Sequence, residues 1–219
     1  MKSLIINIRK NKKYLSFEFL SIIVCLTIIF LTFYKNYCLS KMNEKDIESF
    51  FEEQKQIIEN KDKNDEVIEK QEKVEEKASI SNNAKSQASE SYLGVLEIKK
   101  IDFIRGFYSI KSLKNNVNKN IQVVKESTMP SEENSNLIIV GHSGNSYTSF
   151  FNKLNKLSIG DIAIIYYDGN TYNYTLTNVY EIEKNGLAHI VKKNNVKTLT
   201  LITCKKNTNK QLVFIFELS

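Results

Sequence analysis

Three patterns of apolar and polar residues follow one another along the chain. The first is an almost unbroken apolar run, YLSFEFLSIIVCLTIIFLTFY, at residues 14–34. At about 1.5 Å of rise per residue, a helix of this length matches the roughly 30 Å hydrocarbon core of a bilayer. Its one charge, Glu18, lies near its start, and Tyr14, Tyr34 and Tyr37 flank it where aromatic rings favour the membrane interface. The second pattern, residues 41–77, consists of strong helix formers with apolar residues only at intervals: Ile47, Phe50, Phe51, Ile57, Ile58, Val67, Ile68 and Val74. That stripe predicts a helix but is too sparse for a firm coiled coil. Residues 78–91, ASISNNAKSQASES, carry no pattern and read as a flexible linker.

The third pattern begins at Tyr92. Short runs rich in Ile, Val, Tyr, Phe and Thr alternate with turns: YLGVLEI, IDFIRGFYS, NLIIVGH, IAIIYYDGNTYNYTLTNVYEI, TLTLITC and QLVFIFEL. Asp168-Gly169 between two such runs is the strongest hairpin signal in the chain. Two segments, KSLKNNV (111–117) and SFFNKLNKL (149–157), predict short helices; in the second, Phe150, Phe151, Leu154 and Leu157 recur at helical spacing. Mostly strand with one or two short helices predicts a compact closed or nearly closed β-barrel. No helices of 10–15 residues alternate with the strands, which argues against a doubly wound α/β fold. The chain thus divides into a basic tail (1–13), a transmembrane signal-anchor (14–34), a helical and flexible stalk with linker (35–91) and a β-rich domain (92–219).

Charge refines this division. Lys2, Arg9, Lys10, Lys12 and Lys13 precede the apolar run, which by the positive-inside rule predicts a cytoplasmic N-terminus and an extracellular β-domain on a single-pass membrane protein. A cleaved signal peptide is the rival reading, but the residues that follow, KNYCLSKMNEK, offer no small-x-small cleavage site. The net charge of +6 does not predict nucleic-acid binding: the only arginines are Arg9 and Arg105, so the bidentate reader of bases and phosphates is nearly missing. The three cysteines, at 25, 38 and 204, are odd in number and scattered, so no disulfide framework is predicted.

Candidate chemistry narrows to few residues. Only two histidines exist, His142 and His189. His142 closes the apolar strand NLIIVGH, and Cys204 closes the apolar strand TLTLITC; in a small barrel two strand ends can meet although 62 residues separate them. A thiol with a pKa near about 8.5 is only a few per cent ionised at neutrality, and a nearby imidazole raises the thiolate share. The same imidazole can protonate an amine leaving group and deprotonate an incoming amine. From pattern alone two readings stand: a nucleophile with its acid/base, or a thiol packed at a strand end beside an ordinary loop histidine. His189, in GLAHIVKK, reads as structural or as part of a substrate rim. One Cys and two His without CxxC, HxH or HExxH spacing predict no metal, and no cofactor signature is present.

The motifs in combination resemble the sortases, membrane-anchored cysteine transpeptidases of Gram-positive bacteria. Thr200–Cys204, TLITC, fits the family signature TLxTC around the nucleophile. VGHSGNSYTSFFNKLNKLSIGD (140–161) is similar to the family's histidine segment, and STMPSEENSNLIIVGH and YLGVLEIKKIDFI are similar to its approach to that histidine and to its first strand. The resemblance covers residues 92–219. It implies an eight-stranded sortase barrel with short helices, Cys204 as nucleophile and His142 as general acid/base. The implied reaction attacks a Thr–Gly type bond in a C-terminal sorting signal. The implied partners are secreted proteins bearing that signal and a peptidoglycan-precursor or pilin amine as acceptor. The loop at about 180–197 would help shape the groove.

One departure stands against the pattern. The family carries an arginine on the strand after the cysteine, where it orients substrate and helps stabilise the oxyanion. Here that stretch is NTNKQLVFIFELS, and the position falls on Gln211 with Lys210 beside it. Neither side chain reproduces the rigid five-donor fork of arginine. The departure leaves two expectations: a sortase using Gln211 or Lys210, or a catalytically impaired barrel that binds peptide or wall components.

Overall fold

The computed structural model describes residues 2–68, 91–185 and 195–219. Nearly all of the expected linker at 78–91, and the centre of the 180–197 loop with His189, lie outside the described residues. The chain divides into two compact units, Met1–Glu44 and Lys45–Ser219.

In the first unit, helix α1 (Lys2–Ile68, continuing into the second unit) exposes Phe19, Ile22, Leu26, Phe30, Leu31 and Phe33. Large apolar side chains on all sides of this stretch, with none buried among its described residues, suit a lipid environment rather than water. The helix is long and apolar enough to cross a membrane, as the apolar run predicts.

The second unit is a nearly closed eight-stranded barrel. Its strands are β1 (Gly94–Ile98), β2 (Phe103–Phe107), β3 (Gln122–Val123), β4 (Asn136–Val140), β5 (Ile162–Tyr167), β6 (Asn170–Glu183), β7 (Thr198–Cys204) and β8 (Lys210–Leu218). They run in the order β2-β1-β5-β6-β8-β7-β4-β3. Every pairing is antiparallel except β4 with β7, which are parallel. Inward-facing residues of successive strands fill the interior, among them Leu96, Phe107, Ile139, Tyr174, Leu201, Phe214 and Phe216. The β5–β6 hairpin turns at the predicted Asp168-Gly169, with φ of 50° and 71°. Positive φ at both positions is what a tight two-residue turn matching the strand twist requires.

Both short helices read from the sequence are replaced. Residues 111–117 form turns, because the asparagine and serine side chains there bond to nearby backbone: Ser112 Oγ accepts from Lys114 N–H (3.0 Å) and Asn116 Oδ1 from Asn118 N–H (2.9 Å). Residues 149–157 form turns ending in a single 3-10 turn at Leu154–Lys156, where Lys156 and Leu157 donate three residues back at 3.0 Å each. The spacing of Phe151, Leu154 and Leu157 still buries their side chains, but by 3-10 rather than α geometry.

From Lys45 onward, α1 belongs to the barrel unit. Ile47 and Phe50 are buried with Tyr92, Val95 and Tyr108. Phe51 meets the Tyr166 ring edge-on at 5.0 Å, and the Gln54 side chain accepts a hydrogen bond from Gly169 N–H in the β5–β6 turn. Over this stretch the segment read as a stalk is an arm docked on the outside of the barrel.

The two ends of the sheet, β2 and β3, share no ladder. A side-chain clasp spans this seam: Asn120, just before β3, donates Nδ2 to the Gly106 carbonyl of β2 (2.8 Å) and accepts from Arg105 Nε.

Candidate active site

The parallel β4–β7 pair sets the site. Its register is Asn136↔Thr198 through Val140↔Ile202, a constant offset of 62 residues. Carried two residues further, the same offset brings His142 level with Cys204 along the strand direction. The backbone beyond the ladder keeps this alignment. Gly141 N–H donates to the Ile202 carbonyl (3.2 Å), Thr203 Oγ1 donates to the Gly141 carbonyl (2.8 Å), and Ser143 Oγ donates to the Cys204 carbonyl. The neighbours of His142 on both sides are therefore tied to the strand end that carries Cys204.

Local sequence explains each strand end. TLTLITC is buried along its length because β7 lies between β8 and β4 with both faces covered, and β-branched and aliphatic residues fill both. Leu199 and Leu201 point into the core, while Ile202 joins Ile138 and Val213 in a second apolar layer on the other face. Alternation puts Cys204 on that second face, at its end, half-buried. Gly141 is required by close packing: a Cβ there would lie 2.7 Å from the Phe151 ring. The chain then leaves β4, and Phe151 N–H returns to the His142 carbonyl (2.9 Å), so the histidine sits in a loop closed on itself.

The half-buried imidazole has one side-chain partner that the sequence pattern does not single out. Asn118 Oδ1 lies 3.1 Å from His142 Nε2. With the carboxamide oxygen as acceptor, Nε2 carries the proton and Nδ1 keeps the lone pair a base needs. Asn118 is one of several asparagines in KNNVNKN, and nothing in their spacing marks which one reaches a histidine.

Gln211 lies directly opposite Cys204 in the antiparallel β7–β8 ladder, on the same face. Lys210 does not join it. Alternation turns Lys210 to the other face, where its Nζ is 3.5 Å from Glu181 Oε2, and Lys205 bonds to the same carboxylate. Those bonds, that of Lys205 foremost, hold the Glu181 carboxyl below its ordinary range. Arg105 is engaged elsewhere. Its Nε donates to Asn120, its guanidinium stacks 3.5 Å from the Phe150 ring centre, and burial lowers its pKa against the opposing pull of Tyr92 and Tyr108. Cys204 and Gln211 thus pair across the β7–β8 ladder, and the 62-residue offset carried beyond the β4–β7 ladder sets His142 level with Cys204, while Lys210 and Arg105 make their contacts elsewhere. Among the described residues no cluster of three His, Cys, Asp or Glu stands ready to hold a metal ion.

A thiol thus ends one strand of a parallel pair on a small β-barrel, and an imidazole stands two residues beyond the end of the other. The sequence model of the sortase domain matches residues 96–218, more than half of the chain, and the chain belongs to the sortase family. No curated protein matches the sequence. Among solved structures the barrel is similar to the Streptococcus agalactiae sortase C1 in complex with MTSET, at 18% identity and a TM-score of 0.52, covering 58% of this chain and 69% of that one. It is also similar to a Clostridium perfringens sortase D5 transpeptidase, at 20% identity and a TM-score of 0.51, covering 59% and 79%. A lid mutant of sortase A from Corynebacterium diphtheriae aligns at 19% identity and a TM-score of 0.54, covering 61% and 73%. At these identities the likeness is one of fold. The family is that of the sortase transpeptidases, which act on sorting signals and amine acceptors.

Proposed function

We propose that the chain is a membrane-anchored sortase that works through a thioester on Cys204. In this reading the Cys204 thiolate attacks the carbonyl carbon of a Thr–Gly type bond in a C-terminal sorting signal. His142 delivers a proton to the departing glycine amine, and the acyl group remains on sulfur as a thioester. An amine, from a peptidoglycan precursor or a pilin side chain, loses a proton to His142 and attacks the thioester, releasing the Cys204 thiolate. Helix α1 holds the enzyme in the membrane, with the basic tail in the cytoplasm and the barrel outside.

The observation that carries the proposal is the constant 62-residue register of β4 and β7, which supports a Cys204–His142 pairing. The apolar layer beside Cys204, formed by Ile138, Ile202 and Val213 with Val140 and Ile182 against it, offers a floor for an extended peptide. The test is a peptide-library cleavage screen on the full chain with mass-spectrometric detection of acylated Cys204. An acyl adduct in the wild type, absent in Cys204→Ala, is the expected result. Cleavage by Cys204→Ala overturns the mechanism.

A second reading is favoured by one specific observation: the residue opposite Cys204 is Gln211, where the family has arginine. A neutral donor gives a developing oxyanion less than a guanidinium does, and losing one such donor costs about 10²–10³ in rate. A barrel that binds sorting peptides with little turnover fits this equally well. Peptide binding without an acyl adduct is the result that selects it.

A further inference from the structure

We propose that Arg105 is a positioning residue for His142, acting through Asn120 and Phe150 on the two segments that hold the imidazole. The inference rests on the acid/base reading of His142 given above.

Arg105 is the only arginine of the β-domain and lies on an edge strand, β2. A long cationic side chain on an edge ordinarily extends into water and blunts the edge. This one is drawn inward, and removing a guanidinium from water is costly unless its bonds are well made. Two contacts hold it: Nε donates to Asn120 Oδ1, and the guanidinium lies 3.5 Å from the centre of the Phe150 ring, a close cation–π stack.

Both partners lead to His142. Asn120 closes a turn that is bonded at almost every position. Lys119 N–H and Asn120 N–H both donate to the Asn116 carbonyl (2.9 Å each), and Asn118 N–H donates to Asn116 Oδ1 (2.9 Å). Val117 N–H donates to Gln122 Oε1 (3.0 Å), while Asn115 accepts from Val123 N–H and donates to Val123 O (2.8 and 2.9 Å). This turn presents Asn118 Oδ1 to His142 Nε2. Phe150, the other partner, adjoins Phe151, whose N–H closes the histidine loop on the His142 carbonyl. One guanidinium therefore braces the turn that orients the imidazole and the loop that carries it. Lysine has no planar face to stack and no Nε–H beside it, so it cannot make both contacts.

A residue that only clasped the barrel seam would change stability and leave the imidazole alone. The deciding measurement is the His142 tautomer, read by NMR on the full chain in detergent with isotope-labelled histidine and assigned with a His189→Gln variant. Arg105→Lys and Asn120→Ala are each expected to convert a mainly Nε2-protonated ring to a mixture. Both are expected to lower kcat about 10–100-fold, the cost of ångström-scale misplacement, with KM within about twofold. The double variant is expected to be no worse than either single change, because both act on one linkage. Phe150→Leu removes the stack while keeping apolar volume and serves if Arg105→Lys does not fold. Folded variants with a wild-type tautomer, or rate losses matching only the unfolded fraction, overturn the proposal. The tautomer is read without turnover, so an inactive wild type would count against the transpeptidase reading alone.

Discussion

Gln211 stands directly across the β7–β8 ladder from Cys204, so the neighbour of the thiol on that side is a neutral carboxamide. Side chains paired in this way on one face have Cβ atoms about 4.5–5.5 Å apart, within reach of an oxygen bound at the sulfur. If Gln211 Nε2 is the donor to the oxyanion, Gln211→Ala lowers kcat toward a cleavable sorting peptide by about 10²-fold, and Gln211→Arg raises it about tenfold or more. Chromatographic peptide-cleavage assays check both. Unchanged kcat in the two variants removes Gln211 from this role.

Asn118 Oδ1 lies 3.1 Å from His142 Nε2, which places the carboxamide to orient the ring. Asn118→Ala is expected to lower kcat about tenfold while leaving KM nearly unchanged, because it loosens orientation rather than binding. An unchanged kcat for Asn118→Ala in the peptide-cleavage assay shows that the carboxamide does not orient the ring.

The barrel was legible because its strands announce themselves by alternation and β-branched residues, and the Asp168-Gly169 turn by the positive φ it needs. The ends of NLIIVGH and TLTLITC were legible as candidate chemistry for the same reason. Their parallel register was not, since pairing between strands 62 residues apart is set by the whole sheet order rather than by either strand. Asn118 and Asn120 were hidden because asparagine in a turn ordinarily bonds its own backbone, and here the same run does both. The helix pattern of 149–157 marked Phe151, Leu154 and Leu157, which are buried, but with the wrong turn geometry. Ile47 and Phe50 read as a thin stripe on a stalk, because nothing local reveals that their partners are Tyr92, Val95 and Tyr108 on the barrel surface.

That docking makes the stretch of α1 from Lys45 onward part of the folded domain. Phe50 is 1% exposed in an aromatic cluster, and Phe51 and Gln54 continue the contact to Tyr166 and Gly169. Truncating a buried phenylalanine to alanine costs about 3–5 kcal/mol where the surroundings cannot collapse into the space. Phe50→Ala is expected to lower the barrel's Tm and to open residues 45–58 to limited proteolysis before the barrel itself is cut. A stalk standing clear of the barrel would be cut equally fast in wild type and variant, so the comparison of cleavage rates decides between them.

Asp161, at the entry to β5, supplies a pH dependence of stability independent of the active site. Burial alone would raise its carboxyl, but the opposing contacts win. Lys100 Nζ lies 3.0 and 2.8 Å from its two oxygens, and Ser158 N–H donates to Oδ2 at 2.7 Å. The native carboxyl is therefore held below the ordinary aspartate value of about 3.9. The unfolded chain binds this proton more readily than the native one. The group's contribution is fully present above that ordinary value and is lost as pH falls through the lower native one. Asp161→Asn is expected to be less stable than wild type at pH 7. Below about pH 3 the gap is expected to narrow, because the wild-type carboxyl is then losing its charge as well. Thermal melts of both proteins from pH 2 to 7 measure this directly; a gap that is constant across the range shows that the loss comes from packing and not from the charge.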